Sequence, residues 1–192
     1  MTERQWEEKL KISTMGRDAS RSDEYRYPYE PTPYCVLERL ADSGYLSAGN
    51  TVMDFGCGKG RVGIFLNRVL GCRTVGIEYD PEIFGQAAAN GMGRDGVEFR
   101  CCRAEESEIG EADCFYFFNP FSPELLRSVY GRLLASYYEN PRPMRLFFYY
   151  PSDAYRTWLM TEPTLQFLGE LDCGDLFPGK DRRETLLIFE IC

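Results

Sequence analysis

The sequence contains no histidine, so it lacks both the usual base of a catalytic triad and the commonest metal-ligating side chain. Its eight cysteines form no C-x-x-C pair, and several of them fall within apolar, strand-like segments. A zinc site would have to be built from scattered cysteines and carboxylates. The spacing therefore predicts reduced, structural cysteines, with neither disulfides nor a bound metal.

Long hydrophobic runs are absent as well. The longest run, residues 146–150, is far too short to span a bilayer. The N-terminal stretch MTERQWEEKLKIS carries charges of both signs and no apolar h-region, which argues against a secretory signal. We therefore expect a cytoplasmic protein that does not bind membranes.

Positive charge is scarce, with 22 Lys and Arg against 30 Asp and Glu, for a formal net charge of −8. Affinity for a phosphate backbone comes largely from Lys and Arg, so this balance disfavours nucleic acid as a partner. An acidic surface attracts cationic partners instead, such as Lys/Arg-rich tails or amines. With 192 residues, 44% of them hydrophobic, the chain has the size and composition of one globular domain.

Strand-like and helix-like patterns alternate along most of the chain. The predicted strands cover residues 50–55, 73–79, 97–102, 113–118, 144–150, 164–172 and 184–192. Helices are predicted over residues 32–46, 60–70, 80–92 and 153–160, with another that starts at Ser122. This alternation predicts an α/β fold: a doubly wound, mostly parallel, seven-stranded sheet with helices on both faces. The last two strands have no helix between them, which predicts an antiparallel edge strand.

Two local predictions concern the helices. Thr32 is the predicted N-cap of the first of them, with Pro33 at its N1 position. The inward face predicted for the second consists of Val62, Phe65, Leu66, Val69 and Leu70.

Residues 1–31 differ from the rest of the chain, the 32–192 domain. A charged, helix-like piece is followed by the Tyr- and Pro-rich stretch YRYPYEPTPY. We interpret the segment as a lid, with a strap packed over the sheet edge as the alternative. We expect the tyrosines of this stretch and the next one along the chain either to cover a ligand or to pack against the protein: Tyr25, Tyr27, Tyr29 and Tyr34.

The most specific signal is VMDFGCGKGRVG, in which an apolar strand leads through Gly56, Gly58 and Gly60 into an amphipathic helix. Glycines at such a turn permit positive φ and close approach of a ligand, and the helix N-terminus offers free N–H groups. A dinucleotide fingerprint requires glycine where Arg61 stands, and a phosphate-binding P-loop is absent. The turn therefore predicts a nucleotide-like ligand that is not held by its phosphates.

Two acids refine this prediction. Asp54, before the glycines, would repel a pyrophosphate but suits an ammonium group. Glu78, at the end of the second strand, lies where α/β nucleotide folds place an acid for ribose hydroxyls; a surface acid is the alternative. Ribose, an amino group, a sulfonium and no phosphate are the features of S-adenosylmethionine.

The sequences DFGCGKG and GIEYD resemble the first two motifs of class I, seven-strand S-adenosylmethionine-dependent methyltransferases. The resemblance covers about residues 28–192 and implies the strand order 3-2-1-4-5-7-6, with S-adenosylmethionine as cofactor, S-adenosylhomocysteine as product and no metal. The cofactor-binding residues it implies in the two motifs are Asp54, Phe55, Gly56, Cys57, Gly58, Gly60, Glu78 and Tyr79. Arg103 occupies the place of the acid that usually binds adenine, so Glu105 or the backbone N–H of Ala104 is expected to substitute.

The stretch FYFFNPFS ends the fourth predicted strand in Asn119, Pro120 and Phe121, which we predict to be the catalytic residues. Asn119 would also contact the cofactor and accept an N–H of the nucleophile, and the aromatic wall would exclude water. A strand-end turn, with Asn119 in the cap region of the next helix, is the alternative.

The motif resembles [D/N]-P-P-[Y/F] of amino-methyltransferases, without the second proline. It also resembles the Phe-rich version in non-SET histone-lysine methyltransferases of the disruptor-of-silencing type. Those enzymes carry an aromatic-x-Pro-Thr segment as well, here Tyr29 to Thr32, and these two residues are therefore further cofactor-binding candidates.

The sequence thus predicts S-adenosylmethionine-dependent N-methylation of an amine, with protein lysine favoured over a small-molecule acceptor. A non-catalytic S-adenosylmethionine-binding module is the alternative of a different class. A nicotinamide oxidoreductase is disfavoured by Arg61.

Overall fold

Seven strands form one mixed sheet in the computed structural model, which describes residues 1–17, 29–179 and 181–192. The strands are β1 (Thr51–Phe55), β2 (Arg73–Glu78), β3 (Val97–Cys101), β4 (Cys114–Phe117), β5 (Arg145–Tyr149), β6 (Leu165–Asp172) and β7 (Thr185–Ile191). Their order in the sheet is β3-β2-β1-β4-β5-β7-β6. Strands β1 to β5 pair in parallel, and β7 runs antiparallel to both β5 and β6. The predicted fold class and strand order are confirmed.

Six α-helices occur in the described part of the chain. They are α1 (Glu3–Leu10), α2 (Tyr34–Asp42), α3 (Arg61–Leu70), α4 (Pro81–Gly91), α5 (Pro123–Glu139) and α6 (Asp153–Thr161). Asp80 and Ser122 are the N-caps of α4 and α5, each followed by proline, as the sequence predicted. Asn119 is therefore not a cap residue.

The predicted cap of α2 is wrong. The N-cap residue is Pro33, which makes no side-chain cap hydrogen bond. The Thr32 hydroxyl instead lies 3.1 Å from the Tyr116 hydroxyl, and the Glu3 carboxylate accepts the Tyr34 N–H at 2.7 Å. A cap supplied from α1 has replaced the local one.

Apolar side chains pack on both faces of the sheet. One core joins α1, α2 and α3 and includes Trp6, which stacks on Tyr34 and meets the edge of Phe65. The other lies under α5 and α6 and includes Phe115 and Phe117. The four residues of β4 are buried, as expected for a central strand covered on both faces.

The predicted inward face of α3 is wrong at one residue. Val69 is 43% exposed, whereas Leu70, the last residue of the helix, packs against the core. The eight cysteines form no disulfide. Within the described ranges, each helix is too short or too polar to cross a bilayer.

Candidate functional site

A cavity of about 1010 Å³, counting its open mouth, lies beyond the carboxyl ends of the central strands. Strand order reverses between β1 and β4, and ligands of open α/β sheets bind at such a switch point. Most of the predicted site residues line this cavity: Tyr29, Thr32, Asp54, Gly56, Cys57, Glu78, Tyr79, Ala104, Glu105, Asn119, Pro120 and Phe121.

Three predicted residues do not line the cavity. The Phe55 ring stacks on Phe117 in the core, with centroids 5.1 Å apart. Gly58 lies under the Tyr29 ring, and Gly60 lies against the Phe99 ring. These three residues contribute to the packing and conformation of the turn rather than to the cavity surface.

The glycine turn needs its glycines for both conformation and space. Gly56, Gly58 and Gly60 have φ values of +74°, +55° and +86°, a region that side chains disfavour. A Cβ added at Gly56 would lie 2.6 Å from the Pro120 Cβ, so the turn after β1 touches the turn after β4. The Gly58 N–H donates to Glu78 Oε2 at 3.0 Å, which fixes the turn to the end of β2.

Gly58→Ala is expected to weaken cofactor binding by at least about tenfold. The new Cβ would lie 2.1 Å from the Tyr29 ring, and the residue would keep a positive φ that costs about 1–3 kcal/mol. Calorimetric titration with S-adenosylhomocysteine measures the affinity. Gly131→Ala, in α5 with open space around its added Cβ, is the control and should bind normally. Equal affinity in both variants would contradict this account of the turn.

Asp54 is a buried carboxylate without a complete set of partners. It is 3% exposed, and its Oδ2 has no hydrogen-bond partner among the described residues. Burial, together with the negative charge of Glu78, raises the pKa of Asp54 to about 8. A buried carboxyl oxygen without a partner needs a hydrogen-bond donor. A cationic donor would also favour the ionised form of Asp54.

Glu78 is buried too, but it is hydrogen-bonded. Its carboxylate accepts the backbone N–H groups of Gly58, Tyr79 and Asp80 at 2.9–3.0 Å. Burial raises its pKa, and these three N–H groups oppose that shift. Two of these N–H groups donate to Oε1 and one to Oε2, so a lone pair remains on Oε2, which suits a hydroxyl donor.

The residues present therefore fit S-adenosylmethionine. The Asp54 oxygen that lacks a partner among the described residues suits its ammonium group, and Glu78 Oε2 suits a hydroxyl of its ribose. Ile83, Ala104 and Leu125 contribute apolar side chains to the lining, which suits an adenine ring. Glu105, also in the lining, pairs with Arg103 at 3.4 Å.

Asn119 connects the end of β4 to the loop between β5 and α6. Its φ is +40°, and its Nδ2 donates to the Tyr150 carbonyl at 2.5 Å. Its Oδ1 accepts the Ser152 N–H at 3.2 Å, which leaves one lone pair for a further donor. Asn119 Oδ1 is therefore a hydrogen-bond acceptor in a fixed position, and one of its two lone pairs is available to a substrate.

Aromatic side chains extend the site beyond Asn119. Phe118 lines the cavity and packs against Tyr149 and Tyr150, with ring centroids 4.8 Å and 6.3 Å away. The Tyr149 hydroxyl donates to Glu184 and the Tyr150 hydroxyl to Asp181, both at 2.6 Å. These two tyrosines support Phe118 from outside the cavity lining. Tyr25 and Tyr27 lie outside the described residues.

Sequence reasoning missed several residues of the wall. Ile83 and Leu125 lie in the first turns of the helices that follow β2 and β4, a place that the fold itself could have indicated. Glu30 is exposed on the wall, next to Tyr29. Arg61 lines the cavity although it is only 2% exposed, and no local pattern signalled its burial.

Among the described residues, no group of three acids or cysteines could hold a metal ion.

Comparisons with curated proteins reach only part of the chain, and no family model matches it. It is 40% identical over 67 residues to a ribosomal protein L11 methyltransferase of Aeromonas hydrophila, 35% of this chain and 22% of that protein. It is 33% identical over 90 residues to a protein-lysine N-methyltransferase of Saccharolobus islandicus, 44% of this chain and 55% of that protein. The matches thus span between about a fifth and about half of these relatives.

Solved structures match most of the chain. The crystal structure of an RNA methyltransferase from Salinibacter ruber, in complex with S-adenosylhomocysteine, superposes with a TM-score of 0.54 and 24% identity. The match covers 84% of this chain and 94% of that one. With its strand order and its glycine turn at the switch point, the chain has the fold of the class I S-adenosylmethionine-dependent methyltransferases.

Proposed function

We propose that this protein is an S-adenosylmethionine-dependent methyltransferase that methylates an amine nitrogen, with protein lysine as the favoured acceptor. The observation that carries the proposal is the unpartnered Asp54 oxygen, buried in the switch-point cavity beside the glycine turn. Such an arrangement favours a ligand with an ammonium group and no phosphate. The relatives named above act on different acceptors, so the acceptor has to be argued from the site.

The charge of the cavity favours a cationic acceptor. Within the described lining the one basic side chain is Arg61, which is buried in ion pairs with Glu3 and Glu7. Glu30, by contrast, places an exposed carboxylate on the wall. An acid there attracts an ammonium group and repels phosphate, which supports an amine over a nucleic acid.

The proposed chemistry is an in-line displacement. The cofactor, when bound, would supply a methyl group activated by its sulfonium. The free lone pair of Asn119 Oδ1 accepts an N–H of the incoming amine and orients it, while Phe118 and Phe121 exclude water. Asn119 cannot act as a base, so a lysine ammonium, with a reference pKa of about 10.4, loses its proton to solvent beforehand.

The first test is calorimetric titration with S-adenosylmethionine, S-adenosylhomocysteine and NADH. We expect saturable binding of the first two near micromolar affinity, about −8 kcal/mol, and none of NADH. Absence of binding would contradict the assigned roles of Asp54 and Glu78.

The acceptor is tested with labelled methyl groups. Transfer to a lysine-rich protein, lost when its lysines are acetylated, is the expected result. Transfer only to free amines would favour a small-molecule acceptor, a candidate that the exposed Glu30 also suits. Tight cofactor binding without transfer to protein, amine or RNA would favour a binding module.

A further inference from the structure

Arg61, the first residue of α3, is held almost entirely by the N-terminal part of the chain. Its Nε donates to Thr14 Oγ1 at 2.6 Å, its Nη1 to Glu3 Oε2 at 2.5 Å and to the Thr32 carbonyl at 3.0 Å. Its Nη2 donates to Glu7 Oε1 at 3.3 Å, and the guanidinium lies 4.2 Å from the centre of the Tyr34 ring. All of these partners precede the glycine turn in the sequence.

The partners of Arg61 are also hydrogen-bonded to one another. Glu7 is 6% exposed and also accepts the Thr14 N–H at 2.7 Å and the Tyr34 hydroxyl at 2.8 Å. Glu3 accepts from both Arg61 and the Tyr34 N–H. A buried guanidinium is tolerated when its donors are paired in this way, and removing one partner leaves an uncompensated buried charge.

The same network reaches the cofactor cavity. The Thr14 carbonyl accepts the Tyr29 hydroxyl at 2.5 Å, and the Tyr29 ring lies directly on Gly58 of the glycine turn. At the other end of the wall, the Thr32 hydroxyl lies 3.1 Å from that of Tyr116, which also lines the cavity. Residues 29–32 thus form a wall of the cavity whose position depends on contacts made by residues 3–14.

A second set of contacts fixes the N-terminal part to the neighbouring loop. Lys59 Nζ donates to the Met15 carbonyl at 3.3 Å and lies 5.0 Å from the centre of the Tyr29 ring. Asn90 Oδ1 accepts the Ser13 N–H at 3.2 Å, while its Nδ2 donates to the Lys59 carbonyl at 2.9 Å. The glycine turn is therefore enclosed between α3, α4 and the N-terminal part.

We propose that Arg61 is a positioning residue that docks the N-terminal segment, here residues 1–17 and 29–32, as a fixed wall of the cofactor site. The inference rests on the proposed function, because the ligand of that wall is S-adenosylmethionine or S-adenosylhomocysteine. Arg61 acts through Tyr29 and Thr32 rather than by touching the reacting atoms. The segment is then a strap held by buried charge, and cofactor affinity depends on its docking.

The experiment measures docking and cofactor affinity separately. Trp6, 5% exposed in α1, reports docking once the other tryptophan is removed by Trp158→Phe. In that background, Arg61→Met is expected to raise acrylamide quenching of Trp6 and to raise the Kd for S-adenosylhomocysteine at least tenfold. Arg61→Lys keeps the charge but not the fork of donors, so its Kd should fall between those of the parent and Arg61→Met. Glu3→Gln, a milder variant that removes one negative charge and one of the two acceptor oxygens, should shift both readouts in the same direction.

The matched control is Leu159→Ala, which leaves a cavity in the other core, remote from the N-terminal segment. It should lower the unfolding temperature without changing Trp6 quenching or the Kd. An exposed Trp6 with unchanged Kd in Arg61→Met would overturn the assignment of the strap as a wall of the site. Unchanged quenching would overturn Arg61 as its anchor. Failure of the parent protein to bind either cofactor form would contradict the proposed function itself, while Trp6 would still report docking.

Discussion

Asp54→Asn is expected to stabilise the ligand-free protein at pH 8 and, in the same molecule, to weaken S-adenosylmethionine binding by about 100-fold or more. The carboxylate is buried, its Oδ2 has no hydrogen-bond partner in the described part of the chain and the negative charge of Glu78 acts on it, so ionising Asp54 costs folding free energy. When a ligand ammonium is present the same charge is needed, and loss of one partner of a buried charge pair costs about 2–5 kcal/mol. Stability and binding are expected to change in opposite directions.

The pH dependence follows from the raised pKa of Asp54, about 8 in the folded chain against about 3.9 when unfolded. Between these values the folded state holds a proton that the unfolded state has released. The free energy of unfolding therefore decreases as pH rises from about 4 to about 8, where an ordinary paired carboxylate would make it increase. Asp54→Asn removes this contribution, so across this range the gain in stability over the parent should be smallest at pH 5 and should grow until pH reaches about 8.

Thermal unfolding of both proteins from pH 5 to pH 9, without ligand, measures this difference, and calorimetric titration with S-adenosylmethionine measures the affinity. Asp42→Asn is the matched control, because it makes the same charge change at an exposed site. It should alter neither quantity appreciably. A parallel pH profile for the parent and Asp54→Asn would show that Asp54 is charged and satisfied in the free protein, contrary to the geometry.

The order of helices and strands along the chain and the glycine turn could be predicted because their signals are local, whereas the strand order within the sheet followed from the resemblance of two motifs to a family of known topology. An apolar strand, three glycines and an amphipathic helix follow one another within VMDFGCGKGRVG, and the helix starts at Asp80 and Ser122 carry proline at the next position. Each of these features is decided by neighbours in the chain. The alternation of elements then leaves few ways to cover a parallel sheet.

The wrong helix cap and the missed arginine both concern side chains whose partners lie far away in the sequence. Thr32 has the residue type and the position of a helix cap, yet its hydroxyl faces Tyr116, 84 residues away. In the sequence, Arg61 indicated only that the third glycine of a dinucleotide fingerprint is missing. Its burial could not be predicted, because its ion partners, Glu3 and Glu7, precede it by 58 and 54 residues. A sequence shows that such groups need partners once buried, but not which distant segment provides them.

Asn119 has both a local signal, its place at the end of a predicted strand, and distant partners, Tyr150 and Ser152. Its replacement is the second variant with a large expected effect. Asn119→Gly should lower single-turnover methyl transfer to the identified acceptor by about 100-fold or more, while cofactor affinity stays within a few-fold. The variant removes Oδ1, which aligns the amine, and glycine adopts the φ of +40° without strain. Asn119→Ala should be equally slow and also less stable, because alanine at that φ costs about 1–3 kcal/mol.

Asn119→Asp separates alignment from support. It keeps an acceptor for the amine and for the Ser152 N–H, but it loses the donor to the Tyr150 carbonyl. We expect a rate between those of the parent and Asn119→Gly, since the loop after β5 is loosened while one contact to the nucleophile remains. A wild-type rate in Asn119→Gly would exclude the side chain from the reaction and leave Phe118, Pro120 and Phe121 as the site's contribution. A loss of cofactor affinity as large as the loss of rate would instead place Asn119 against the cofactor, so that it would act by binding rather than by orienting the acceptor.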